Sequence, residues 1–538
     1  MCNEKHTDRP GKKLDHEEAH EQEHKKFSRR DFLQSAGLMA TGMAAMVNGI
    51  PMYALGNTFQ MMPLSMLESD RVLVLIQLRG GNDGLNTVID RFNSEYYNIR
   101  PSLAITESNL WALDQKNGMP NAMNSLKPMW EEGKMKVIHN VGYPDPNYSH
   151  FRSSDIWATA SDEDEYVSSG WIGRYFDYEF PAFQDAQPTI PPALQIGVQT
   201  DLVFQSSQRN LALAISSPNE FYKLALSGQL YDVNIDDIVP AKKELKFVRQ
   251  VANSAFRYSQ SIRDAYNSGR NEEAYPDNNL AQQLAIVAKL IKGNLGTKVY
   301  LVYIDGFDTH ANQYDNHLRL LNRLSTSVAA FFKDLQKQGY DDKVLGMTFS
   351  EFGRTIYENG SAGTDHGTSA PMLLFTKDIG KEVVGNPPDL INTDQYGDPY
   401  FERDFRDVYA TVLKNWFGMP PEVVDFVVGK DKEIMNNLIP SVQPSVGTEA
   451  FKALLGHRSV AGKPNQLEFY YSVLQQGQVI IELMDTSGQV IRTLKDEFSE
   501  KGSFTFVLDT KKYAIRNGDY IYRMKTGGRI FERRLKVE

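Results

Sequence analysis

Acids and histidines of this chain gather at the ends of apolar runs. Gly80-Gly-Asn-Asp83-Gly follows the run Arg71–Leu78, and Asp305-Gly-Phe-Asp308-Thr-His310 follows Lys298–Ile304. Ser350-Glu351-Phe-Gly-Arg354 follows Lys343–Phe349, and Thr364-Asp365-His366-Gly367 precedes Pro371–Phe375. Carboxylates and imidazoles brought together suit divalent metal ions, Zn²⁺ or Mn²⁺ first, with Mg²⁺ or Ca²⁺ as alternatives. The candidate metal ligands are Asp83, Asp305, Asp308, His310, Glu351, Asp365 and His366. Beyond residue 54 the histidines are His139, His150, His310, His317, His366 and His457. His150, His310 and His366 fall in such loops. His139 lies inside an apolar run and reads as a core residue, and His317 reads as a solvated helix residue.

A nucleophile can be added. Ser149 closes the stretch Tyr143-Pro-Asp-Pro-Asn-Tyr-Ser149 and precedes His150-Phe-Arg152, after which Phe151, Ile156 and Trp157 show helical spacing. A serine in the first turn of a helix sits where backbone amides favour an anion. Beside metal ions it is a candidate nucleophile for phosphoryl transfer. Arg152, Arg174 and Arg354 are candidates to hold the remaining anionic oxygens. Plain structural readings stand beside these: Ser149 as a helix cap, the glycine cluster as a tight turn, Asp308 or Thr309 as a cap, Glu351 with Arg354 as an internal ion pair, and Asp365-His366 as a surface turn.

The elements that must position these residues are strands alternating with helices. Continuous apolar runs at Arg71–Leu78, Lys136–Val141, Lys298–Ile304, Lys343–Phe349 and Pro371–Phe375 read as strands covered on both faces. An amphipathic helix is predicted from about Gln313 to Gln338, with Leu320, Leu321, Leu324, Val328, Phe331, Phe332 and Leu335 on its apolar face. Further helices are predicted near Leu245–Asn267 and Asn279–Lys292. The pattern is an α/β fold with a mostly parallel sheet sandwiched by helices. Ligands in such sheets sit beyond the carboxyl ends of strands, where these acids and histidines fall.

The flanks read differently. Residues 1–54 carry Arg29-Arg30 before Phe32-Leu33, then a short stretch rich in Gly, Ala and Ser, the form of a twin-arginine export signal that is removed. His16-Glu-Glu-Ala-His20 inside it fits a zinc-protease pattern by chance, because its neighbours offer no apolar face to bury. Cys2 is the one cysteine and lies in this leader, so the mature chain forms no intrachain disulfide. The site domain is expected over 70–432, a Pro- and Gly-bearing linker over 433–465, and a small C-terminal all-β sandwich over 466–538, where strands alternate around the turn Asp485-Thr-Ser-Gly488. Lys and Arg number 58 against 68 Asp and Glu, a net charge of −10. An acidic chain without a basic block argues against nucleic acid as a partner, and no run beyond the leader is long and apolar enough to span a bilayer.

Together the motifs Gln77–Asn86, Asn147-Tyr-Ser-His-Phe151, Gly306-Phe-Asp-Thr-His310, Ser350–Arg354, Gly363-Thr-Asp-His-Gly367 and Asp404–Ala410 resemble the domain of unknown function 1501 family, which is grouped with the alkaline phosphatase superfamily. The resemblance covers roughly 70–430 and implies an alkaline phosphatase-like or sulfatase-like core with two metals. By it, Asp83 resembles the first-strand ligand and Ser149 stands at the nucleophile position. Asp305 or Asp308 with His310 resembles the pair on one metal, and His366 the late histidine. Glu351 stands where the superfamily has Asp followed by His; here Phe352 follows. No Cys- or Ser-x-Pro/Ala-x-Arg stretch suits a formylglycine sulfatase. The C-terminal strands resemble sorting domains of type nine secretion. The implied function is an exported, metal-dependent hydrolase of phosphate-type rather than sulfate esters. It would act on a small-molecule or glycan ester, meet export and secretion machinery, and reside in the periplasm, at the cell surface or outside. The alternative is a non-catalytic surface or glycan-binding protein with a degenerate metal site.

Overall fold

The structure, a computed structural model, describes residues 44–47, 50–53, 70–179, 190–206, 212–226, 256, 258–394, 396–441, 455–459, 465–473, 477–485, 489–500, 502–526 and 529–537. Arg29, Arg30, Cys2 and the His16–His20 stretch lie outside them; of residues 1–54, Ala44–Val47 and Ile50–Tyr53 form an antiparallel pair. The chain divides into two compact units, one mainly Ser69–Phe176 and Pro188–Ser441, the other mainly Val442–Glu538.

The first unit is built on a nine-stranded sheet. Its strands are β1 (Val72–Arg79), β2 (Lys134–Gly142), β3 (Ala193–Ile196), β4 (Ala212–Ile215), β5 (Val299–Asp305), β6 (Val344–Phe349), β7 (Ala370–Phe375), β8 (Gly380–Val384) and β9 (Arg403–Asp404). The order is β8–β2–β7–β6–β1–β5–β3–β4, with β9 beside β2. All neighbours run parallel except β7, which is antiparallel to β6 and β2. All six residues of β6, and all of β1 but its last, are buried, so both faces of the central sheet are covered, as their unbroken apolar runs require.

Helices α1 (His150–Thr159), α2 (Asn279–Lys292) and α3 (Gln313–Lys337) follow strands or lead into them. In α3 the predicted apolar face is the buried one, with Leu321, Leu324, Val328, Phe331 and Leu335 fully inaccessible. The desolvated pair Lys292–Asp334, at 2.6 Å, joins α2 to α3. Of the helix predicted near Leu245–Asn267, residues 258–268 are described and helical, and the start lies outside the described residues.

The second unit is a two-sheet sandwich. Strands β10 (Leu455–Ser459), β11 (Gln466–Val473) and β14 (Gly502–Asp509) form one sheet. Strands β13 (Val490–Ser499), β12 (Gly477–Met484), β15 (Gly518–Thr526) and β16 (Arg529–Val537) form the other, in that order. Phe469, Tyr471 and Leu508 from the first sheet share a core with Ile481, Leu483, Tyr522 and Met524 from the second. The stretch 433–465 is more structured than a linker: Met435, Leu438 and Ile439 are buried in the first unit, and Leu455–Ser459 is a strand of the sandwich. Residues 442–454 and 460–464 lie outside the described ones.

Candidate metal centre at the carboxyl edge of the sheet

Four chain segments deliver imidazoles and carboxylates to one edge. The turn after β5 carries Asp308 and His310. The stretch after β2 ends at Ser149, the N-terminal cap position of α1, and places His150 in the first helical position. Glu351 lies two residues beyond the end of β6. His366 arrives differently. Because β7 is antiparallel, the loop that enters it lies at the same edge as the carboxyl ends of its parallel neighbours. A two-residue pairing of Gly353–Arg354 with His366–Gly367 fixes that loop.

The side chains converge on Asp308. His310 Nε2 lies 3.0 Å and His366 Nε2 3.3 Å from Asp308 Oδ1, and His150 Nε2 lies 3.5 Å from Oδ2. His310 and His366 meet Nε2 to Nε2 at 3.1 Å. Each ring is oriented by its other nitrogen: His150 Nδ1 on Glu351 Oε1 at 3.0 Å, His310 Nδ1 on Asp365 Oδ1 at 3.1 Å, His366 Nδ1 on the Tyr148 carbonyl at 2.7 Å. Those partners are acceptors, so in a neutral ring the proton sits on Nδ1 and the Nε2 lone pair faces the cluster. Three such lone pairs and a carboxylate, with outer oxygens orienting the rings, form a donor set that fits a divalent cation. Ligand atoms of His150, Asp308 and His366 all lie within 4.8 Å of one another, and this is the one such group among the described residues; His310 lies outside it and adjoins it through Asp308 Oδ1 and His366 Nε2.

The same contacts shift the titration of these groups. Burial raises the Asp308 carboxyl, but hydrogen bonds from His150, His310, His366 and Arg354 outweigh it and hold it far below the usual carboxylate range. Burial lowers His150, yet hydrogen bonds with Asp308 and Glu351 lift it to about 9. Hydrogen bonds with Asp308 and Asp365 raise His310. Burial drops His366 to about 4 against its bond with Asp308.

Not every predicted residue joins. Asp305 ends β5 facing water, 62% exposed and 3.7 Å from Arg79, because strand alternation turns it away from the edge cluster. Asp83 is fully buried and its Oδ2 accepts from Arg100 and Gln313. Glu351 and Asp365 orient histidines and stand outside the group of three. Arg152 donates to the carbonyls of Asp162, Glu163 and Glu165, and Arg174 to those of Thr159, Ser169 and Val427, so both anchor loops. Arg354 is buried, with Nε on Gly81 O and Nη2 on Asp308 Oδ1 at 2.7 Å, and it makes no pair with Glu351. Ser149 occupies the cap position, yet its side chain makes no capping bond. The cap of α3 is Asn312, so Asp308 and Thr309 cap nothing there. His150 joins the group of three although the sequence reading, which placed it in such a loop, passed it over for its neighbour Ser149. His139 is buried as expected, whereas His317 is buried too, with Nε2 3.1 Å from Asn82 Oδ1, against its reading as solvated.

Phe352 packs on both rings, with centroids 4.2 Å from His366 and 4.9 Å from His150. The glycines before Asp83 permit the crowding. Gly80 has φ +118°, and a Cβ there would lie 2.3 Å from the Asp308 amide nitrogen. Arg354 ties the same loop through the Gly80 and Gly81 carbonyls.

A family described as "Protein of unknown function (DUF1501)" matches residues 133–376. It is the family that the motifs resemble, and the match contains His150, Asp308, His310 and His366. No curated protein matches the chain. Among solved structures, the chain is similar to the PsFucS1 sulfatase from a Pseudoalteromonas species, at 10% identity over 84% of this chain and 86% of that one, with a TM-score of 0.31. It is similar to a protein in the alkaline phosphatase superfamily from Vibrio parahaemolyticus, at 9% identity over 90% and 93%, with a TM-score of 0.26. The catalytic module of a pneumococcal glycogen-degrading protein matches at 19% identity and TM-score 0.12, over 15% of this chain and 12% of that one. Among the described residues, no helix is long and apolar enough to cross a membrane.

Proposed function

We propose that this chain is an exported hydrolase of phosphate-type esters that depends on a divalent metal ion held by His150, Asp308, His310 and His366. The observation that carries the reading is the set of three imidazoles, each anchored through Nδ1 and each turning Nε2 toward the Asp308 carboxylate. Bound there, a divalent cation supplies Lewis-acid polarisation of a phosphoryl oxygen. The chain supplies the rest. Ser149, free of a capping bond, adjoins His150 at the start of α1 and is the candidate nucleophile, with water as the alternative attacker. The first amides of that helix have no intrahelical acceptor and are suited to anionic substrate oxygens. Glu351, Asp365 and the Tyr148 carbonyl hold the rings in the ligating tautomer. Ser149 Oγ forms a bond to phosphorus as the ester P–O bond breaks and the alcohol leaves with the serine's proton; water then cleaves the phosphoserine, giving phosphate from a monoester or a phosphate monoester from a diester, while Arg354 keeps Asp308 in place.

The twin-arginine pair supports export, and the sorting-like sandwich supports a destination at or beyond the cell surface. One observation favours the rival reading of a non-catalytic binding protein: Asp83, the first-strand ligand implied by the motifs, is closed off by Arg100. The deciding experiment is metal analysis of the purified mature protein, followed by turnover of aryl phosphate mono- and diesters with added Zn²⁺ or Mn²⁺. Metal-stimulated hydrolysis is the expected result. Bound metal without turnover supports the binding protein, and absence of metal with no turnover ends the hydrolase reading.

A further inference from the structure

The motifs imply two metals, and the residues present fit only one. Asp83 Oδ2 accepts from Arg100 Nη1 at 2.6 Å, and both side chains are fully buried. Arg100 is held in place by the Ile356 and Thr355 carbonyls and by Asn86 Oδ1. A guanidinium does not give up its proton in a protein, so a permanent positive charge already faces this carboxylate. The other acid of that half, Glu351, uses Oε1 on the Gly80 amide at 2.7 Å and on His150. The position after it is Phe352, a hydrocarbon ring packed on His366 and His150. Asp83 Oδ1 and His317 Nδ1 are buried acceptors without a protein partner, yet no third His, Cys, Asp or Glu completes a ligating group with them among the described residues. A cation there would also meet the Arg100 charge across a medium that screens poorly.

We propose that the centre takes one divalent cation per chain, at His150, Asp308, His310 and His366, and that Arg100 stands as a fixed charge in the second ion's place. This rests on the metal-centre reading above, and it makes the second carboxylate a structural element of the site. An internal cation needs no recruitment from solution, so occupancy follows a single binding equilibrium.

The test is stoichiometry. Protein stripped with EDTA is titrated with Zn²⁺ alone, and separately with Mn²⁺ alone, by calorimetry, and metal is counted after gel filtration. Wild type should take one equivalent, and Asp83→Asn should take one with unchanged affinity. Because Asp83→Asn leaves the Arg100 charge buried without its partner and can fail to fold, the double variant Asp83→Leu/Arg100→Leu, which removes both charges, is measured beside it with the same expectation. Two equivalents in wild type, falling to one in the Asp83 variants, would overturn this inference and leave the hydrolase reading intact. One equivalent that disappears in the double variant, while circular dichroism shows a folded chain, would place the ion at Asp83 and overturn it equally. No binding at all removes this inference and the metal-dependent reading together.

Discussion

At the scale of single residues, the cluster works because every imidazole has a second partner. Glu351 is the most connected of these, touching His150 and the Gly80 amide. Glu351→Gln keeps the shape but weakens the acceptor for His150 Nδ1, and loss of such an outer partner typically lowers metal affinity ~10–100-fold. Calorimetric titration with Zn²⁺ should show that drop, with one-to-one binding retained; wild-type affinity would mean that Glu351 does not orient the ring. Ser149→Ala should abolish aryl phosphate turnover and leave the melting shift on adding metal unchanged, since the serine is no ligand. That shift is ~2.7 kcal/mol when free metal stands at 100 times Kd. Residual turnover near wild type would point to water as attacker. The sequence placed Asp308, His310, Glu351 and His366 at one edge because strand ends are readable from apolar runs. It misjudged Asp83 and His317, whose environment is set by Arg100 and Asn82, residues that no local pattern marks as partners. Asp305 was misassigned for a subtler reason: it is still the last residue of β5, in register with Arg79, and only beyond the positive-φ turn at Gly306 does the chain bring Asp308 to the cluster.

Elements decide which loops meet. The five apolar runs became strands as expected, but direction is not written in an apolar run, and the antiparallel setting of β7 emerges only from pairing. The short strands β3, β4, β8 and β9 lacked a readable signal for the same reason that they are short: little of their stability is local. Gly80 is a tight joint between two such elements. Gly80→Ala forces a Cβ within 2.3 Å of the Asp308 backbone at a left-handed φ, so the turn must shift. Metal affinity should fall more than helix content; an unchanged titration would show that the turn gives way without moving Asp308. Strand β2 carries a pH signature. Burial lowers His139 to about 4, and its Nε2 lies 3.0 Å from Asn117 Oδ1. The unfolded chain therefore takes up this proton near ~6.5 and the folded chain only near 4. Stability is full above that upper value and declines as pH falls toward the lower one, with a slope approaching ~1.4 kcal/mol per pH unit for one proton. His139→Asn should flatten the urea-unfolding slope by about one proton in that window. An identical slope would mean that His139 is solvated in the folded state.

For the whole molecule, all members of the cluster lie in the first compact unit, and the sandwich has a core of its own. A chain ending after Ser441 should therefore bind metal with the affinity of the full chain by calorimetry. Loss of binding in a still-helical truncated protein would show that the sandwich helps to build the site. The alternating strands of the sandwich were legible because period-two burial survives in β12, whereas β10 and β11 were hidden by neighbouring Gly and Pro.

The strand that runs against its neighbours has one more effect. The excursion from Glu351 to Ala370 leaves and rejoins the sheet on the same side, pinned at Gly353–Arg354 and His366–Gly367. Its tip holds Gly360, where an added Cβ would touch nothing within 4 Å. Beside it the loop is tied down: the Ser361 and Ala362 carbonyls accept from the amides of Asn312 and Gln313, and Asn359 Nδ2 donates to the His310 carbonyl at 3.0 Å. A change of length in this loop would therefore be felt at the start of α3 and at His310, so the loop and that turn have to vary together.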